Sequence, residues 1–263
     1  MSLQEHTLFG LVDKVALALE RIKTFCPPEG YYVAYSGGKD SDTILDLVRR
    51  SGVKYDAHFM RAMEPPEVVY HVRTQKDVEM HMPEVSYWSL LAGSTYPSHG
   101  LMPPTRIVRW CCEHLKENGG NGRVVVTGIR WAESARRAKR QMMEACIKGG
   151  GKRYLHPIID WSSQDVWEYL RSREIPYCKL YDEGYKRLGC IMCPMSGAKR
   201  MREDAERYPK IAAAYVRAMD KAVLKRRQLG LPTDWKDGRA MFEWWIDGNP
   251  AKIEDDGTIP MFE

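Results

Sequence analysis

The sequence predicts an α/β fold: a parallel, Rossmann-like sheet with helices on both faces, continued by a mainly helical C-terminal extension. Three observations carry this. Short strand patterns alternate with helical ones from Tyr31 to Gly128, as parallel strands joined by crossover helices require. A glycine-rich turn joins the first buried strand to a helix, the usual place for a ligand in such sheets. From about residue 150 the strand signal fades while helical spacing continues.

The elements follow in order. Leu8, Leu11, Val12, Val15, Leu19 and Ile22 recur at helical intervals, so residues 5–24 read as one amphipathic helix, broken by Cys26-Pro27-Pro28-Glu29-Gly30. Tyr31 to Tyr35 is a buried strand, Ser36 to Asp40 a turn, and Ile44, Leu45 and Val48 mark a helix that stops at Gly52. Tyr55, Ala57 and Phe59 alternate as a strand does, Pro65-Pro66 opens a helix at Val68, and Val78 to Met82 and Arg123 to Gly128 supply two more strands. Ser162 and Asp165 form a capping-box pattern before Val166, Trp167 and Leu170. There is no internal repeat and no low-complexity linker, and Gly149-Gly150-Gly151 and Gly230 to Asp237 read as surface loops. Residues 1–160 are therefore expected to form a nucleotide-binding α/β domain. Residues 161–263 are expected to form a helical extension packed on the same core.

At 263 residues, with 44% hydrophobic and 29% charged, the chain can bury a core, and its composition excludes disordered and collagen-like classes. Forty Lys and Arg against 35 Asp and Glu leave +5, so most cations have an available anion. Apolar runs such as Val124-Val125-Val126 are far shorter than the roughly 20 residues of a membrane span. Glu5 and His6 stand where a secretory signal would be apolar, so a cytoplasmic, reducing setting with no membrane partner is expected. Seven cysteines are too sparse for a disulfide scaffold, and clustered cysteines in that setting point to metal or catalysis.

Ser36-Gly37-Gly38-Lys39-Asp40-Ser41 lies between strand and helix, where exposed backbone N–H groups and the helix N-terminus attract an anion. Lys39 supplies a point charge, and the Ser36 and Ser41 hydroxyls can donate to phosphate oxygens, which suits pyrophosphate or sulfate. The G-x-x-x-x-G-K-[ST] spacing is absent, which argues against a Walker-type NTPase. Arg130, Glu133, Ser134 and Arg137 have helical spacing and would share one face if helical. Arg136, Arg137, Lys139 and Arg140 equally form a charge run that a solvated surface explains. Cys111-Cys112 and Cys190-x-x-Cys193 can close one four-thiolate site, suited to tetrahedral zinc or to a [4Fe-4S] cluster.

The loop resembles the PP-loop of ATP pyrophosphatases, which cleave ATP between the α and β phosphates to adenylate a substrate. Together with Cys111-Cys112, Gly128-Ile129-Arg130 with Glu133-Ser134 and Arg137, His156 to Trp161 with Asp165-Val166-Trp167, and Gly189 to Pro194, it resembles the PAPS reductase family over roughly residues 30–200. The resemblance implies ATP, PAPS or APS as substrate, with magnesium. It implies Lys39, Ser41 and Arg130 as catalytic residues, and Ser36, Gly37, Gly38, Lys39, Asp40, Ser41, Gly128, Arg130 and Arg137 as the nucleotide site. It also favours the cluster over zinc on Cys111, Cys112, Cys190 and Cys193, because that arrangement is the one in cluster-containing adenylyl-sulfate reductases.

Assimilatory reductases of this family attack sulfur with a cysteine near the C-terminus, whereas Cys193 is the last cysteine of this sequence. Of Cys26, Cys146 and Cys178, only Cys178 lies near a motif. The pattern is closer to the ATP pyrophosphatases of DNA phosphorothioation, which need no terminal thiol. Three readings follow: adenylation for sulfur transfer, a reductase using an external thiol, or a non-catalytic nucleotide or nucleic-acid module. Expected partners are an adenine nucleotide, a sulfur- or electron-donor protein and a nucleic-acid acceptor. Lys186-Arg187, Lys199-Arg200-Arg202 and Lys225-Arg226-Arg227 are the basic clusters available to that acceptor.

Overall fold

The computed structural model describes residues 3–7, 10–93, 101–146 and 150–248. A hairpin of β1 (Gln4–Thr7) and β2 (Gly10–Asp13) opens the chain, followed by α1 (Lys14–Thr24). The single helix expected over residues 5–24 is corrected here. Asp13 ends the hairpin and caps α1, its Oδ1 accepting from the N–H groups of Val15 (2.8 Å) and Ala16 (3.0 Å). Leu11 is 56% exposed, so the apolar spacing that suggested one helix mixes two elements. Leu8, part of that pattern, lies outside the described residues.

Next come β3 (Tyr31–Ala34), α2 (Lys39–Ser51), β4 (Tyr55–Met60), α3 (Pro66–Arg73) and β5 (Val78–His81). Short helices α4 (Tyr87–Leu91) and α5 (Trp110–Leu115) precede β6 (Val124–Val126), β7 (Met143–Ala145) and β8 (Arg153–Leu155). The chain then runs through α6 (Ser163–Ser172), α7 (Ala198–Arg207), α8 (Pro209–Gln228) and α9 (Gly238–Ile246). Among the described residues no helix is long and apolar enough to cross a membrane.

The six-stranded sheet has the order β5-β4-β3-β6-β8-β7, parallel except for β7, which pairs antiparallel with β8. Strands β7 and β8 were not expected from the sequence: each has three residues and, unlike the equally short β6, is not a continuous apolar run. From β3 the chain winds outward through β4 and β5, then returns to build β6 and β8 on the other side. The crevice between β3 and β6 is thus the topological switch point, where ligands bind such sheets.

The sheet's two faces differ sharply. Tyr31, Val33, Ala57, Phe59, Val124, Val126 and Leu155 point into the apolar core with Ile22, Ile44, Leu45, Val48, Val166 and Leu170 of the helices. The alternate residues include Tyr32, Asp56, His58, Glu79, His81 and Tyr154, a polar and ionisable face.

The described residues fall into two compact units: Met1–Met82 with Leu115–Leu188, and Pro83–His114 with Gly189–Glu263. A boundary at residue 160 does not match this division. Helix α6 stays with the sheet because Val166, Tyr169 and Leu170 complete its core, and the Tyr169 hydroxyl donates to Asp46 (2.6 Å) on α2. The second unit is helical as expected, with Tyr215, Trp245 and Phe242 packed together between α8 and α9. Trp245 is therefore core, and its indole N–H donates to the Pro104 carbonyl (2.7 Å).

The capping box at α6 is formed in full: Asp165 N–H donates to Ser162 Oγ (3.1 Å), and Ser162 N–H to Asp165 Oδ2 (2.7 Å). Ser162→Ala is expected to destabilise the first unit by about 1 kcal/mol in urea denaturation, the typical value of an N-cap hydroxyl. An unchanged midpoint would show that α6 is held by its packing alone.

Candidate functional site

The loop after β3 is shaped from within by Ser41. Its hydroxyl accepts from the N–H groups of Ser36 (3.2 Å) and Gly38 (3.1 Å), receives the Ser36 hydroxyl (3.1 Å), and donates to the Gly38 carbonyl (2.8 Å). The sequence suggested that both hydroxyls would face a phosphate; in the structure both are engaged inside the loop. Gly37 sits at φ +70°, and a Cβ there would lie 2.9 Å from Val68 and Val72, so only glycine fits. The turn delivers the chain into α2, whose first turn carries Lys39, Asp40 and Asp42. These acids complement the helix dipole.

Lys39 and Arg130 converge on one carboxylate. Lys39 Nζ lies 2.7 Å from Asp40 Oδ2, and Arg130 Nε lies 2.8 Å from Asp40 Oδ1. Arg130 is 1% exposed and also donates from Nη1 to the Trp161 carbonyl (3.2 Å). Its cation is thereby committed to tying the strand β6 side of the crevice to α2. Gly128 serves the same junction by lacking a side chain, since a Cβ there would sit 2.8 Å from the Asp40 carbonyl oxygen. The expected helix over Arg130–Arg137 is not formed: two short 3₁₀ turns, Trp131–Glu133 and Arg137–Lys139, are separated by extended Ser134. Arg130 and Arg137 therefore do not share a helical face. Arg137 is paired with Glu133, whose carboxylate also caps the Arg130 backbone N–H at 3.0 Å.

Two clefts adjoin the loop. One, of about 240 Å³, opens on the polar sheet face and is lined by Ser36, Phe59, Met60, Thr127, Lys152 and Tyr154 among others. The other, of about 450 Å³, contains Lys39 and an aromatic wall of Trp167, Tyr177 and Tyr181 with Arg171 and Lys186. The three rings meet edge to face, with centroids 5.1 to 6.3 Å apart. The Tyr181 hydroxyl accepts from the Lys39 N–H (3.0 Å), joining this wall to the loop. Beneath the loop, the Tyr35 hydroxyl donates to Asp42 Oδ1 (2.5 Å), which also faces His71 Nε2 (2.9 Å). Burial first, and then the Asp42 charge, push the Tyr35 hydroxyl well above its ordinary pKa, so it remains a donor.

Neither the Asp42–His71 contact nor the aromatic wall was found from the sequence. His71 lies 29 positions from Asp42, and although Trp167 belongs to a motif, Tyr177 and Tyr181 carry none that would place the three rings together. Tyr177, Tyr181 and Tyr185, spaced four residues apart just before Lys186, were the available signal.

The four cysteines belong to the second unit. Cys111 and Cys112 lie on α5, Cys190 precedes a tight turn, and Cys193 caps the 3₁₀ turn Pro194–Ser196. Met192, between the last pair, has φ +53°, and its N–H donates to buried Asp204 Oδ2 (2.9 Å), which holds the turn. The Cys111 thiol is pushed far up by its hydrogen bond with Cys112, then by burial, then by the charges of Cys112, Cys190 and Cys193, so the quartet lies within mutual electrostatic reach. Arg109 Nη2 donates to Cys112 Sγ (3.1 Å). None of the four is in a disulfide.

Cys178 and Cys26 are poorly placed for nucleophilic work. Cys178 is 1% exposed inside the apolar core, and burial raises its pKa; burial likewise raises that of Cys26. Asp160 is taken by Arg21 (2.8 Å), and Asp165 by its cap and by Lys14 (3.0 Å).

The phosphoadenosine phosphosulfate reductase domain family matches residues 30–196, well over half the chain. The chain belongs to this family. The matched region spans the loop, Arg130 and all four cysteines. An uncharacterized protein of Methanocaldococcus jannaschii is 31% identical over 197 residues, 68% of this chain and 39% of that protein. A probable FAD synthase of Caenorhabditis elegans is 27% identical over 184 residues, 65% of this chain and 31% of that protein. The family domain thus spans less than half the length of either relative. The phosphate complex of phosphoadenylyl-sulfate reductase from Candida auris shares the fold, with a TM-score of 0.51 at 19% identity over 66% of this chain and 87% of that one.

Two outcomes are expected. Arg130→Leu leaves the Asp40 carboxylate with one partner, so it should cost about 3 kcal/mol of stability by urea denaturation, as loss of one member of a buried pair does. Cys178 should resist a disulfide reagent at pH 7.5 in the folded protein and react fully once denatured. Fast native labelling at Cys178 would contradict its burial.

Proposed function

We propose that the chain binds an adenine nucleotide at Ser36–Ser41 and transfers its adenylyl group to an acceptor, releasing pyrophosphate, as an activating step for sulfur transfer. The observation that carries this reading is the loop: an ordered turn at a helix N-terminus, at the sheet's switch point, with buried Lys39 beside it. The phosphates would sit at this loop beside Lys39, with magnesium, and Met60 offers apolar contact to the base. The acceptor enters beside Trp167, Tyr177 and Tyr181, whose rings suit a planar substrate and whose cationic rim, Arg171 and Lys186, suits an anionic one such as nucleic acid. Its nucleophile attacks the α phosphorus, and the bond to the β-phosphate oxygen breaks. Lys39 neutralises charge on the leaving pyrophosphate, Ser41 keeps the loop in shape, and Arg130 positions Asp40 and through it Lys39.

In this proposal Cys111, Cys112, Cys190 and Cys193 hold a [4Fe-4S] cluster. The Arg109 N–H on Cys112 suits the cluster, whose sulfurs take hydrogen bonds. A bound cluster supplies electron transfer or a site for handling sulfur. The proposal carries a sulfur- or electron-donor protein as a partner for that reason.

Anaerobically purified protein should release pyrophosphate from ATP when an acceptor is present. Lys39→Ala should weaken ATP binding by about 1.5 to 3 kcal/mol in calorimetry, the worth of a hydrogen bond to a charged group. Sulfite from PAPS or APS with an added thiol, and no pyrophosphate from ATP, would replace adenylation by reduction. Iron and acid-labile sulfide should be present together and lost in Cys190→Ser; zinc alone would remove the cluster.

A further inference from the structure

We propose that His58, Glu79 and His81 form a binding site for a borderline divalent transition-metal ion, for which Zn²⁺ is the probe. The site lies on the polar sheet face of the first unit and does not depend on the adenylation reading. Among the described residues these three are the group of His, Cys, Asp or Glu side chains whose ligand atoms all lie within 4.8 Å of one another.

The placement follows from strand register. Parallel pairing sets His58 of β4 opposite Glu79 of β5, and the two-residue period returns His81 to the same face as Glu79. His58 Nδ1 lies 2.7 Å from His81 Nε2 and 3.6 Å from Glu79 Oε2, and His81 Nε2 lies 3.8 Å from the same oxygen. Ligands on zinc at about 2.1 Å in a tetrahedron stand about 3.4 Å apart, so a small opening of the two rings admits the ion.

The histidine is also prepared for this role from behind. His58 Nε2 bonds to Asp56, whose carboxylate accepts both Arg123 Nη1 (2.7 Å) and Nη2 (2.6 Å). With Asp56 holding the Nε2 proton, the Nδ1 lone pair is left facing His81 and Glu79, the carboxylate–histidine arrangement that orients metal ligands. Tyr32 stacks on the ring at 4.3 Å and 12°, which fixes its plane. Glu79 is largely exposed and His81 about a third exposed, so the ion can enter from solvent and keep water in its remaining positions. Two imidazoles and one carboxylate suit zinc or ferrous iron and not magnesium or calcium.

The test uses the full chain carrying Cys190→Ser and Cys193→Ser, stripped with a chelator, so that the thiols do not compete. One equivalent of Zn²⁺ should be retained after gel filtration, and Tm should rise on adding it. Co²⁺ should give d–d absorption without thiolate charge transfer. His81→Ala and the isosteric Glu79→Gln should each weaken zinc at least tenfold and abolish the rise in Tm. Should the serine variant not fold, the cobalt difference spectrum between wild type and His81→Ala isolates the imidazole-bound ion. No zinc uptake, or uptake unchanged in His81→Ala and Glu79→Gln, would mean a hydrogen-bonded histidine pair only and overturn the proposal.

Discussion

The first unit depends on one carboxylate. Asp40 stands at the start of α2, takes Lys39 on one oxygen and Arg130 on the other, and so joins the segment after β3 to the segment after β6. Those segments leave the sheet beyond the last paired residues of β3 and β6, Val33 and Val126. A negative charge between two cations leaves the group with one net positive charge, which favours an incoming phosphate without leaving an isolated buried cation. Gly128 makes the arrangement possible by admitting the Asp40 backbone where any Cβ would collide. Arg130 is thus better understood as a strut than as a phosphate ligand.

Much of this was legible in the sequence. The buried strands, the glycine turn, the α2 stop at Gly52 and the α6 capping box all follow from local rules, because each is decided by residues within a few positions of one another. The opening hairpin was missed because Val12, Val15, Leu19 and Ile22 keep a helical period across the junction at Asp13. Strands β7 and β8 were missed because neither three-residue strand is a continuous apolar run, and their pairing partners are distant in sequence. The site divides in the same way. The loop and the cysteine pairs are contiguous motifs and can be read directly from the sequence. Asp56-x-His58 and Glu79-x-His81 carry the same acid-x-histidine pattern, yet only register reveals that they face each other.

The two kinds of cysteine illustrate how environment decides chemistry. Cys178 lies near a motif in sequence, but its sulfur lies in the core, where a thiolate is disfavoured. Cys111 also has a raised pKa as a free thiol, there partly through the crowding of neighbouring sulfurs.

The contrast between the two faces of the sheet also bears on how the chain finds its pairing. Sliding β4 by one residue against β3 would turn Asp56 and His58 into the apolar interior and expel Ala57 and Phe59. Such a slip buries a carboxylate away from Arg123, a penalty far larger than any ladder hydrogen bond it retains. The ionisable face therefore acts as an error check during assembly, rejecting shifted strands that an all-apolar parallel sheet would tolerate.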